Sequence, residues 1–196
     1  MKDPERTRST ILKAAFHEVH RKGFKAASLS DILARTNLTK GALYHHFPNK
    51  SALGHALLDA IEREIIRRWI APLRESADPL ACLQKITRDA VEVMTPEEVG
   101  LGCPLHNLAQ EMSSLDETFR IKVAALYDTW RDGIAQALAD GQKSGCVNPR
   151  IDPSEAALFY IAALSGCRGL AKNARSPEIL LTCLNSLCHY LETLRG

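Results

Sequence analysis

Residues 28–50 read SLSDILARTNLTKGALYHHFPNK, two short helical stretches joined by a tight turn. Ser28 and Asp31 stand at capping-box spacing. The hydroxyl is placed to accept from a first-turn N–H, and the carboxylate lies at the positive end of the stretch. Asp stands where Glu or Gln is usual, so the box reads as imperfect. Leu29, Ile32 and Leu33 supply an apolar face at helical spacing. Thr36, Asn37 and Leu38 interrupt it: asparagine tolerates the left-handed conformation, and Leu38 is placed to plug the core beneath the turn. Thr39 caps a second stretch, Lys40 to Phe47, which Pro48 stops because the residue before a proline disfavours helix.

The second stretch is unusual in what it exposes. Leu43 and Phe47 are four apart and point inward. Lys40, Ala42, Tyr44, His45 and His46 are left over the rest of its surface. Gly41 costs a helix stability but lets its backbone approach another surface closely. A short helix with small residues at its start, flanked by donors, fits the major groove of duplex DNA. An isolated surface helix carrying a Tyr-His-His cluster would need no such partner. The helix and turn in front of it favour the groove.

The ordered set Gly23-Phe24, Ser28-Leu29, Asp31-Ile32, Leu38-Thr39-Lys40-Gly41, Leu43-Tyr44-His45-His46-Phe47, Lys50 and Leu53 resembles the DNA-binding signature of the TetR/AcrR family of transcriptional regulators. The resemblance covers about a quarter of the chain; the remainder matches in size and helical character. It implies an all-α homodimer of about nine helices per chain. Residues 1–50 would form a three-helix helix-turn-helix domain, and residues 51–196 a domain for effector binding and dimerisation. It further implies that Ser28, Thr39, Tyr44, His46 and Lys50 meet phosphates, and that Lys40, Gly41, Ala42 and His45 lie near base edges. The physics agrees in outline, since Lys40 can donate to guanine and Ala42 can meet a thymine methyl. Two such heads on a two-fold axis would read a palindromic double-stranded operator, with half-site centres about one helical turn apart or a little more. Lys40-Gly41-Ala42 departs from many relatives, which leaves the operator sequence unread.

The charge distribution points the same way. The net charge is only +2, but residues 1–50 hold ten Lys or Arg against four Asp or Glu, a balance of +6. The remainder carries 25 − 10 = 15 basic and 23 − 4 = 19 acidic residues, a balance of −4. A basic head on a mildly acidic body suits a polyanion as partner of the head alone. No apolar run approaches the roughly 20 residues of a membrane helix, and MKDPERTRST lacks a secretory apolar stretch. A cytoplasmic protein with no membrane partner is expected. The six cysteines are dispersed, with no C-x-x-C and no zinc-ligand spacing, so reduced thiols are expected and neither metal nor cofactor is read.

Helical periodicity runs through the rest. A first helix is predicted from Glu5 to Lys22 with Ile11, Leu12, Ala15, Phe16 and Val19 inward, ended by Gly23 in a left-handed cap. A long helix is predicted from residue 50 to Ile70, ended by Pro72; the resemblance makes it a strut that tilts on effector binding. A helix after Pro79 carries Leu80, Leu83, Ile86, Ala90 and Val93. Residues 97–102 read as a loop or broken turn. Helices then follow from Pro104 to Met112, from Ser114 or Asp116 to Lys143, from Pro153 to Lys172 and from Pro177 to Leu194. Leu180, Leu184, Leu187, Leu191 and Leu194 step by four and three as a packed seam does. The last two helices are expected to pair with their copies in a four-helix dimer interface.

The body's most loaded stretch is Gly102 to Glu111. Cys103 opens a helix, where the helix dipole favours a thiolate, and His106, Asn107 and Gln110 follow on it. Three readings stand side by side: a pocket wall for a small-molecule effector, a thiol that senses electrophiles, and plain packing. Tyr127, Trp130, Tyr160, Arg168, Met94 and Met112 are further candidates to line the pocket, and Arg168 calls for an acidic partner or an anionic ligand. No catalytic constellation has supporting context, so an enzyme is not expected. Two rivals remain: an all-helical thiol enzyme using Cys103 and His106, and an architectural DNA-binding dimer without effector.

Overall fold

The computed structural model describes residues 3–92 and 94–196. Val93, assigned above to a helical stripe, lies outside the described residues. Two compact units form, residues 1–62 with 104–124 and residues 63–103 with 125–196. The fold is all-α; among the described residues no strand forms, and one isolated bridge pairs Val147 with Arg195.

In the first unit, α1 (Pro4–Lys22) is capped by Asp3, which accepts from the Glu5 N–H at 3.0 Å. Ile11, Leu12, Ala15 and Val19 are buried as expected, whereas Phe16 turns partly to solvent and packs on the His20 ring at 5.6 Å. Gly23 ends α1 at φ 88°, ψ 160°, a more extended conformation than the left-handed cap and one almost confined to glycine. α2 (Leu29–Ala34) opens on a complete capping box: Ser28 Oγ accepts from the Asp31 N–H at 3.0 Å, and Asp31 accepts from the Ser28 N–H at 3.2 Å. The shorter aspartate reaches after all. α3 (Lys40–His46) starts at Thr39, whose hydroxyl accepts from the Ala42 N–H at 3.2 Å.

α1 packs against both α2 and α3, and a buried carboxylate on α1 holds the set together. Glu18, only 2% exposed, accepts from Arg35 at the end of α2 and pairs with Lys22 and Arg21. The Arg35 hydrogen bond, opposed by burial and reinforced by Lys22, brings its carboxyl down to about 2. Behind this core lie the start of α4 (Lys50–Ile65), α8 (Pro104–Met112) and the first turns of α9 (Glu117–Ser144). Phe24 folds back as expected, with its ring 5.4 Å from Phe119 and its edge against Gly54. Of the two candidate caps for α9, Asp116 serves, accepting from the Phe119 N–H at 3.0 Å.

The second unit corrects two sequence expectations. Pro72 does not end the long helix. After Ile65 the chain widens into a π-helical turn, Ile66–Ile70, and continues as α5 (Ala71–Glu75). A proline lacks its N–H and crowds the carbonyl four residues earlier; the wider turn, closed by Ala71 N–H to Ile66, relieves both. Residues 97–102 are not a loop either. α7 (Pro96–Leu101) follows α6 (Pro79–Glu92) and carries a full capping box between Thr95 and Glu98, with proline at its first turn.

α10 (Pro153–Ala174) and α11 (Pro177–Glu192) close the unit, packed on each other, with α11 also against α6. The α11 leucine seam, Leu180, Leu184, Leu187 and Leu191, is buried within the chain. A different face is exposed: Leu158, Phe159 and Leu170 on α10 and Ile179 and Leu181 on α11.

A carboxylate held below its ordinary 4.5 stabilises the native state fully above that value, and the contribution is lost as pH falls through about 2. Glu18→Gln is therefore expected to lower stability at pH 7 by about 2 kcal/mol. The gap to the parent protein should close between about pH 4.5 and 2, as followed by urea unfolding across pH.

Candidate functional site

α3 is seven residues long, too short to persist alone, and is fixed by burying Leu43 (0% exposed) and Phe47 (3%). Most of the remaining surface of α3 faces out. Lys40, Gly41 and His45 are exposed and Tyr44 is 42% exposed, while Ala42 and His46 are half-buried. The Lys40 ammonium lies 5.9 Å from the centre of the Tyr44 ring, and the His45 and His46 rings are 5.2 Å apart, edge to face. Ser28 and Thr39 are exposed at the starts of α2 and α3, their hydroxyls committed to capping.

Gly41 has no reason inside the protein. Its φ is not positive, and an added β-carbon would meet only the Thr39 hydroxyl, at 3.9 Å. A residue costing up to about 1 kcal/mol relative to alanine, on an exposed helix start, points to an outside surface that must come close.

Lys50 is placed differently from the others. It is half-buried at the first residue of α4, donates to the Lys25 carbonyl at 2.9 Å and lies 5.1 Å from the centre of the Phe24 ring. Burial lowers its pKa, Glu111 raises it and Lys25 lowers it further. Glu111, not singled out in the sequence, accepts from the Phe24 and Lys25 N–H groups, each at 2.7 Å. A β-carbon on Gly23 would lie 2.9 Å from that carboxylate. The α1–α2 loop is thus held by a residue 87 positions away in sequence, a contact no local signal announces.

The candidates of the body divide between the units. His106, Asn107 and Gln110 lie on α8 in the first, with Gln110 exposed. Cys103, Tyr127, Trp130 and Arg168 belong to the second. Cys103 is 6% exposed and lies near Tyr127, whose hydroxyl pKa is pushed up by burial and by that thiol. A β-carbon on the preceding Gly102 would lie 3.0 Å from Lys172 and 3.6 Å from the Arg168 carbonyl oxygen. Trp130 packs on Trp69 at 5.4 Å, and Trp69 on Tyr160 at 6.1 Å. Tyr160 is itself satisfied by Thr87, hydroxyl to hydroxyl at 2.6 Å.

Three buried polar atoms in this unit have no hydrogen-bond partner among the described residues: Trp130 Nε1, Arg168 Nε and Ser165 Oγ. Each costs about 1–3 kcal/mol while unsatisfied. Ser165 is not among the sequence candidates; its spacing of three from Arg168 was the available signal. A separate groove of about 580 Å³ lies between the π-helical turn, α5 and α9, lined by Ile70, Arg74, Asp132, Gln136 and Asp140. None of the sequence candidates lines it. Among the described residues no helix is long and apolar enough to cross a membrane, and no group of three or more His, Cys, Asp or Glu could hold a metal ion.

A three-helix head presenting a short helix between buried anchors, on an all-α body, defines a helix-turn-helix DNA-binding protein. The comparisons with known proteins make it specific. The family described as "Bacterial regulatory proteins, tetR family" matches residues 11–57, and "Tetracyclin repressor-like, C-terminal domain" matches residues 79–186. Transcriptional regulator AcuR of Cereibacter sphaeroides is 30% identical over 179 residues, 91% of this chain and 82% of that protein. The HTH-type transcriptional repressor DhaR of a Mycobacterium species is 26% identical over 160 residues, 81% of this chain and 79% of that one. Among solved structures, a regulatory protein TetR from Rhodobacter sphaeroides superposes with TM-score 0.82 at 28% identity, over 92% of this chain and 96% of that one. A TetR transcriptional regulator from Chloroflexus aurantiacus gives 0.85 at 26%, over 100% and 98%. The chain belongs to the TetR family and is a DNA-binding transcriptional regulator.

Gly41→Ala is expected to raise thermal stability slightly, by up to about 1 kcal/mol, while weakening specific duplex binding at least about tenfold. Calorimetry and fluorescence anisotropy on the same preparation check the two halves.

Proposed function

We propose that the protein is a homodimeric repressor that grips a two-fold-symmetric operator and leaves it when a small molecule occupies its body. The observation that carries this reading is the disposition of α3, which buries Leu43 and Phe47 and turns Lys40, Gly41, Tyr44 and His45 outward. In this reading residues 1–50 are the reading head and residues 51–196 the sensing and pairing body. Lys40, Gly41, Ala42 and His45 meet base edges; Ser28, Thr39, Tyr44, His46 and Lys50 meet phosphates. Lys50 has one proton engaged by Lys25, which leaves two for a phosphate oxygen.

Pairing is through the outer faces of α10 and α11. Leu158, Phe159, Leu170 and Leu181, each more than half exposed, would be covered by the same surface of a second copy. The repressor name of the mycobacterial relative supports repression. The relatives compared above are all regulators, which supports a non-catalytic role over a thiol enzyme built on Cys103 and His106. Burial of Cys103 supports a reversible occupant of the body over a thiol sensor. A DNA partner supports a cytoplasmic location.

Two experiments test the reading. Lys50→Ala is expected to weaken binding to all duplexes alike and to flatten the salt dependence by about one unit, whereas Lys40→Ala should relax preference at one base position. Uniform losses in both would remove Lys40 from the base edges. In sedimentation at micromolar concentration the parent chain is expected to run as a dimer and Leu158→Glu as a monomer with lost operator affinity. A monomeric parent chain would end the four-helix interface.

A further inference from the structure

We infer that the effector is a small organic carboxylate with a flat apolar body, held by Arg168, Ser165 and Trp130; this rests on the ligand-responsive reading above and names its chemistry. All three side chains present donors. Arg168 Nε and Trp130 Nε1 can only donate, and the Ser165 hydroxyl can donate. All three atoms are buried without a hydrogen-bond partner among the described residues, and Ser165 and Trp130 are each only 3% exposed. Three unmet donors call for an acceptor-rich group.

The charge decides which acceptor. Arg168 makes no ion pair among the described residues. A guanidinium keeps its charge at any working pH, so its partner carries the opposite one. A carboxylate offers two oxygens with lone pairs for several donors, matching one arginine and two neutral groups.

All three residues belong to the second unit. Ser165 and Arg168 are three apart on α10 and share a face. Trp130 is linked to α10 through Trp69, which meets Trp130 at a tilt and Tyr160 edge to face. Tyr160 already has Thr87 as its partner and offers its ring rather than a spare donor. This aromatic row ends on the helix that carries the two α10 donors, which favours an anion with a flat apolar body. The 580 Å³ groove is a poorer candidate: Asp132 is paired with Arg131 and Asp140 with Lys143, and both carboxylates would repel an anion.

The chain supplies its own reporter, because its only two tryptophans, Trp69 and Trp130, both belong to this cluster. Titrate the full-length protein with trans-cinnamate, cinnamamide and cinnamylamine, following tryptophan emission and, in parallel, release of the operator duplex. Cinnamate is expected to change the emission and to bind at least tenfold more tightly than the amide, with the amine weaker still. Arg168→Met should abolish the preference while Arg168→Lys keeps most of it, with circular dichroism checking that both fold; Ser165→Ala should weaken cinnamate severalfold. Equal or better binding of the amide or amine overturns the inference, as does a preference that survives Arg168→Met or no emission change with any probe to millimolar concentration. Cinnamate that binds through Arg168 yet leaves operator affinity unchanged upholds this site and sinks the ligand-responsive reading instead.

Discussion

The burial of Leu43 and Phe47 is the constraint on which the reading head depends. A helix of seven residues has no stability of its own, so α3 exists because two side chains four apart are taken into a core that α1 supplies. Using those two positions for anchoring frees the others. A lysine, a glycine, a tyrosine and a histidine then face solvent on one small convex surface, with no internal duty that fixes their identity.

A second layer holds the geometry of the first. Glu18 bridges α1 to the end of α2 from inside the head, and Glu111 clamps the loop between the same helices from α8. Both are carboxylates meeting groups that burial would otherwise leave unpaired, the arrangement in which a charge inside a protein is tolerable. Both tie an element next to α3 without touching its outer face, so the head is made rigid without spending its contact surface.

Much of this was legible in the sequence, and the exceptions have physical reasons. The capping signals at Ser28, Thr39 and Pro177 and the alternation of apolar positions gave the helices of the head and the tail, because caps and periodicity are local. Pro72 misled, because a proline stops a helix only when the chain cannot widen around it, and a π-helical turn is set by packing. Thr95-Pro96-Glu97-Glu98 held a capping box that the nearby glycines obscured. Glu111 had no local signal, since its significance comes from what lies across the fold; Ser165 had only its spacing from Arg168. The α11 leucine seam was found correctly, but it packs into this chain's own core; the exposed apolar face of α10 and α11 was legible only once the inner face had been assigned.

The account is tested most directly by selecting bound sequences from a pool of random DNA duplexes and reading the symmetry of what is enriched. Two α3 helices on a two-fold axis predict an inverted repeat, with half-site centres about one helical turn apart or slightly more. Enrichment of an asymmetric sequence, or of none, would contradict a paired head that reads the groove through the outer face of α3.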